Sequence, residues 1–99
     1  MNKNGENFGF VLAPKKLVEE RKKVRFMYRE KPDSTQDSGW RFFSGVETDE
    51  FVNNPGNIGI YDIKTIISID EDIVPYLDSP YGCTYEREEI TASFTLVKK

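Results

Sequence analysis

Ninety-nine residues, 37% hydrophobic and 13% aromatic, suit one domain spanning 1–99 with a single core. The absence of histidine removes Ser-His-Asp and Cys-His catalysis and every histidine-ligated metal site, and the lone Cys83 excludes an internal disulfide and a cysteine-built zinc site. The net charge of −3 hides a split: residues 1–31 hold nine basic and four acidic side chains, residues 32–97 three basic and thirteen acidic.

Along the chain, residues 1–7 are polar and expected to be flexible. Phe8, Phe10 and Leu12 alternate with Gly9, Val11 and Ala13, which reads as a first strand. Pro14 should stop its pairing and open a short helix over residues 15–23, with Arg21-Lys22-Lys23 as an exposed last turn where cations suit the dipole. Val24–Arg29 alternates as a second strand, placing Val24, Phe26 and Tyr28 on one face. Lys31–Gly39 is a polar loop, and Trp40–Phe43 a third strand, antiparallel to the second. Phe42 and Phe43 put an aromatic on each face, and helices should cover one of them.

Thr48 is placed to cap a helix of little more than one turn, with Asp49 and Glu50 in its first turn and an end near Asn53-Asn54-Pro55-Gly56. Asp62 caps a second, whose Ile63, Ile66 and Ile67 share one face. Asp72 caps a third, carrying Ile73, Tyr76 and Leu77, with Pro75 at a position whose N–H is free anyway. Cys83–Arg87 and Thr91–Val97 form a closing hairpin around Glu88-Glu89. The sum is an α+β domain of about five mostly antiparallel strands, with short helices on one side.

Few residues carry chemistry. Cys83 has no neighbour that would activate it and reads as a small strand residue. The glycines form no phosphate-cradling loop. Asp33, Thr35 and Asp37 imitate a calcium loop, but Gly39 comes one place late and Ser44 stands where the bidentate glutamate is required. Asp37, Glu47, Asp49 and Glu50 bracket the third strand. They either converge to hold Mg²⁺ in a metal-assisted hydrolase or are ordinary loop and first-turn acids. Trp40 is either the largest core hydrophobe, its indole N–H bonded to a loop carbonyl, or a partly exposed anchor beside Tyr28 and Arg29. Arg29 and Arg41 should pair with loop carboxylates such as Asp37 or Glu47 and hold the 31–39 loop in place.

Several blocks occur in a specific order: Met27-Tyr28-Arg29-Glu30-Lys31-Pro32, Asp37-Ser38-Gly39-Trp40-Arg41-Phe42-Phe43-Ser44-Gly45, Glu47, Asn57-Ile58-Gly59-Ile60-Tyr61 and Leu77-Asp78-Ser79-Pro80. In these the chain resembles a bacterial family first filed as a domain of unknown function and later grouped with the predicted immunity proteins of polymorphic toxin systems (immunity protein 33-like). The likeness spans about residues 10–87. It implies an α+β cytoplasmic protein that binds and neutralises a toxin domain, and it brings no catalytic residues with it.

The reading that follows is a non-enzymatic protein-binding module with no cofactor and no metal. Its acidic surface repels phosphates, so nucleic acid is a poor partner and a basic toxin domain a good one, although ordinary solubility explains the same charge. Asp37, Glu47, Asp49 and Glu50 would supply charge complementarity and Trp40 or Tyr28 an apolar anchor. Arg29, Gly39, Arg41, Phe42 and Gly45 would be structural. A polar start at Met1–Glu6, no apolar run of the roughly 20 residues a membrane helix needs and a single thiol agree with a cytoplasmic location. The alternatives are the carboxylate-based hydrolase and a homodimer formed through the Thr91–Val97 edge.

Overall fold

Six short strands build one mixed sheet in the computed structural model, which describes residues 9–97. They are β1 (Phe10–Pro14), β2 (Phe26–Arg29), β3 (Asp37–Phe43), β4 (Ile58–Asp62), β5 (Thr84–Glu86) and β6 (Thr95–Leu96). Their order across the sheet is β4-β1-β3-β2-β5-β6. Four neighbouring pairs are antiparallel; β1 and β3, second and third in the order, are parallel. The α+β class and the antiparallel bias are as expected. The sixth strand is β4, whose Ile58-Gly59-Ile60 stretch precedes the Asp62 cap. Phe8 and the 1–7 segment lie outside the described residues.

Side-chain alternation sorts the sheet into two unlike faces. Val11, Ala13, Met27, Trp40 and Phe42 point to one side and are buried there. Against them pack Leu17 of α1 (Lys15–Glu19), Ile63, Ile66 and Ile69 of α3 (Ile63–Ile69), and Ile73 of a 3₁₀ helix at Glu71–Tyr76. Phe94, on the return to β6, closes the same core. Strand runs straight into helix twice, at Pro14 and at Asp62. Pro14 does pair, opposite Ile58, as the last residue of β1, because its φ of −57° is compatible with extended backbone. Asp62 accepts a hydrogen bond from the Lys64 amide (2.8 Å), as its capping role requires.

Three local expectations are corrected. First, α1 stops at Glu19, and Arg21 takes a positive φ of 51°, so the basic cluster lies beyond the helix. Its cations still meet a helix end, but that of α3: Arg21 donates to the Ser68 carbonyl (2.9 Å) and Lys23 to that of Ile69 (3.0 Å). Second, Val24 does not share a face with Phe26 and Tyr28. It precedes β2 and is buried in the core, whereas those two rings lie on the opposite face. Third, the cap of the 3₁₀ helix is Asp70, not Asp72; it accepts from the Asp72 amide (3.1 Å).

The reason Asp70 takes the cap is a buried ion pair. Arg87 Nη2 donates to Asp70 Oδ2 at 2.6 Å, with both side chains almost wholly out of solvent. The same oxygen accepts from the Val24 amide (2.9 Å), while Arg87 Nε donates to the Val24 carbonyl (3.0 Å). Arg87 Nη1 reaches Asp72 Oδ2 (3.0 Å) and the Ala92 carbonyl (3.1 Å), and the guanidinium lies 4.2 Å from the centroid of Phe94. Removing one member of such a pair strands the other charge in a poorly solvated interior. Arg87→Met is expected to lower unfolding free energy in urea by about 3–5 kcal/mol. Asp70→Asn in that background should recover part of the loss, and simply additive losses would show that the two residues act independently.

Candidate functional site

The helices bury their side chains on one side of the sheet, so the residues of the other side define its solvent-facing surface. Register places Glu86, Phe26 and Phe43 in one cross-strand row and Thr84, Tyr28, Arg41, Leu12 and Ile60 in the next. Residues directly opposite across strands are in side-chain contact range. Phe26, Tyr28 and Phe43 form a triangle with every centroid pair 6.0 Å apart; Tyr28 and Phe43 are inclined by only 12°. The rings floor an open cleft of about 640 Å³. Glu86 and Glu88 stand on its β5 side, Asp49 and Val52 on the opposite rim, and Arg25 and Glu47 in its walls.

Local chemistry sets the far rim. After Phe43 the chain turns at Gly45, whose φ of +93° suits glycine. Glu47 then folds back, accepting from the Ser44 amide (3.1 Å), the Ser44 hydroxyl (2.7 Å) and the Gly45 amide (3.0 Å). Thr48 caps α2 (Asp49–Val52) through the Phe51 amide (3.1 Å), which leaves Asp49 and Glu50 in its first turn as expected. The helix buries no residue and serves as a parapet to the cleft.

Beyond Tyr28 the outer face is closed by Arg41, a buried residue whose charge is matched on the spot. Its Nη1 and Nη2 bind both oxygens of Asp37 (2.9 and 2.7 Å), and its Nε binds Glu30 (2.7 Å). This is the loop-holding pair expected for Arg41. The Arg41 guanidinium holds the Asp37 carboxyl below the usual carboxylate range. Burial, and next the nearby Glu30 carboxylate, raise the Tyr28 phenol above its ordinary value, so its hydroxyl stays protonated at neutral pH. Arg29 faces the other way. It donates to the Ser38 and Ser79 carbonyls (2.9 and 2.8 Å) and lies over the Trp40 and Tyr81 rings at 5.8 and 4.7 Å. Gly39, with φ +90°, lies so close to the Glu30 carbonyl that any Cβ would collide with it. That contact is the physical content of its structural role.

The sequence-derived residues therefore scatter. Tyr28, Glu47 and Asp49 meet at the cleft; Glu50 is exposed on α2 but does not line it; Asp37 lies farther along the sheet with its charge taken up by Arg41. Trp40 is corrected: it has no exposed surface, stacks on Phe42 (5.7 Å) and donates its indole N–H to the Leu77 carbonyl (3.1 Å). It is the core hydrophobe of the two readings, because even positions of β3 point inward. The four acids bracketing β3 do not converge, and among the described residues no three acidic or thiol side chains are placed to share a cation. Phe26, Phe43, Glu86, Glu88 and Arg25 were not singled out beforehand. Alternation announced the outward aromatics, but the approach of Glu86 to Phe26 exists only through the β2–β5 register. Cys83, half-buried before β5, has its thiol pushed up by burial.

An Asp whose folded pKa lies below its unfolded value of about 3.9 stabilises fully above that value and progressively less as pH falls through the folded pKa. Wild type is thus expected to lose stability as pH drops below about 4. Asp37→Asn, less stable at pH 7, should converge on it over the same range in urea titrations. Parallel stability–pH curves would show that the Asp37–Arg41 pair is not the source.

No helix of the described residues is long and apolar enough to cross a membrane. No curated protein and no solved structure gives a significant match to the chain. The family model for the immunity protein Imm33 domain matches residues 11–97. It runs past Arg87, so the closing hairpin is part of the family pattern along with the strands that carry the cleft. A match over nearly the whole length places this chain in the Imm33 immunity protein family.

Proposed function

We propose that the protein is a non-enzymatic binding module of the bacterial cytoplasm that neutralises a toxin domain by docking on it with the face of its sheet opposite the helix-packed core. The observation that carries this reading is the aromatic triangle of Phe26, Tyr28 and Phe43. Three rings on the solvent side of a small domain, in a cleft bounded by carboxylates, form an apolar centre with a polar rim. Membership of an immunity family supplies the partner class, a protein. Tyr28 is the anchor of the pair considered from the sequence that retains exposed surface, and Ile60, 67% exposed in the adjoining row, extends the apolar area.

The acids available to a basic partner differ from those counted along the sequence. Asp37 is spent on Arg41 and Glu47 on its own turn, whereas Asp49, Glu50, Glu86 and Glu88 hold no hydrogen bond or ion pair through their carboxylates among the described residues. These four would speed encounter with a basic toxin and repel nucleic acid.

The test is to look for a toxin domain in the reading frames flanking this gene, coexpress any that is found with this protein, and follow with calorimetry on the purified pair. Phe43→Ala and Tyr28→Ala are expected to weaken binding about tenfold or more and to abolish growth protection. Glu86→Lys with Asp49→Lys, which disturbs no packed ring, should slow association and flatten its salt dependence. Undiminished protection by all of these variants, each shown folded by circular dichroism, would remove this face from the mechanism.

A further inference from the structure

We infer that the cleft accepts an arginine side chain of the partner, its guanidinium lying on the Phe26–Tyr28–Phe43 floor between the β5 and α2 rims. The inference rests on the reading of this face as the docking surface. The floor is two strands wide beyond β5, and with strands about 4.8 Å apart the Glu86 rim stands roughly 10 Å from β3. On the far side stands Asp49, at the start of α2. A slot with π faces beneath and a carboxylate on either side is complementary to a planar cation. The rings attract it through their quadrupoles, and the acids accept its forked N–H donors.

The other charges facing the slot agree with this. Arg87 is in the wall, but Asp70 and Asp72 take up its charge. Glu47 is held by Ser44 and Gly45. Among the described residues Arg25 is the single opposing cation; its Nη2 is turned aside onto the Glu88 carbonyl, and its Nε is buried with no hydrogen-bond partner among them. The uncommitted groups are therefore Asp49, Glu86 and Glu88, all exposed. Guanidinium is preferred to ammonium here because it is flat, weakly hydrated and able to stack while reaching both rims.

The experiment is a ¹⁵N–¹H NMR titration of the full chain with a blocked Gly-Arg-Gly peptide, beside peptides carrying citrulline or lysine at the same place. The arginine peptide should shift the amides of Phe26, Tyr28, Phe43 and Glu86, and ring currents should move its own side-chain methylene signals upfield. Citrulline, of the same shape without charge, should leave these signals still, and lysine should bind about fivefold more weakly. Glu86→Gln with Asp49→Asn, which leaves the floor intact, should weaken the arginine peptide about fivefold or more. Equal shifts with citrulline, equal affinity for lysine, or shifts spread over the acidic surface but absent from the cleft would each overturn the inference. Should the peptide fail while Phe43→Ala still abolishes protection, the arginine slot falls and the docking face stands. Should it bind in the cleft while every face variant still protects, the docking face falls and with it the assignment of the bound arginine to the partner.

Discussion

The Asp70–Arg87 pair ties together three separate parts of the chain. Desolvating two charges is expensive, and the arrangement returns that cost only because almost every donor and acceptor on the pair finds a partner. Those partners are the Val24 backbone ahead of β2, the first turn of the 3₁₀ helix and the Ala92–Phe94 return to β6. With both polar groups of Val24 held by the pair, its side chain enters the core and the next residue, Arg25, is delivered to the opposite face. Arg25 then bonds through its backbone to Phe43 and Arg87 and sets the end wall of the cleft. The core's polar knot and the candidate site are thus consecutive residues of one strand entry.

A sheet that packs its core helices on one side has to do something with the other. Here the outer rows are neither fully polar nor covered. Phe26, Tyr28 and Phe43 shield one another, Arg41 is buried with its charge cancelled by Asp37 and Glu30, and Ile60 is left open at the β4 edge. Mutual shielding lets the rings stay in water at modest cost while keeping them available to a partner. Rigidity comes from beneath, where Trp40 and Phe42 alternate with Arg41 and Phe43 along the same strand. One short segment therefore furnishes both the foundation and the surface.

Net charge along the sequence exaggerates the field a partner would feel. The acidic excess of residues 32–97 includes Asp37, Asp70 and Asp72, all matched by arginines, and Glu47, which serves a turn. What remains near the cleft is local and sits on the two rims of an apolar floor. Such a pattern favours orientation and selection of a contacting side chain over general attraction.

Features governed by neighbours a few residues apart were legible from the sequence. The Thr48 and Asp62 caps, the isoleucine stripe of α3, the inward and outward aromatics at Phe42 and Phe43, and the Arg41–Asp37 pairing all depend on short spacings and side-chain chemistry. The family blocks likewise lie in local runs. What the sequence could not disclose were contacts between distant segments: the parallel β1–β3 pair, the β4 strand beside β1, the transfer of a cap from Asp72 to Asp70, and Glu86 beside Phe26. Each depends on which strand edge or buried charge arrives from 17 or more residues away, as Arg87 does for Asp70. Spacing within a segment cannot encode that arrival, because it is settled only when the whole core closes.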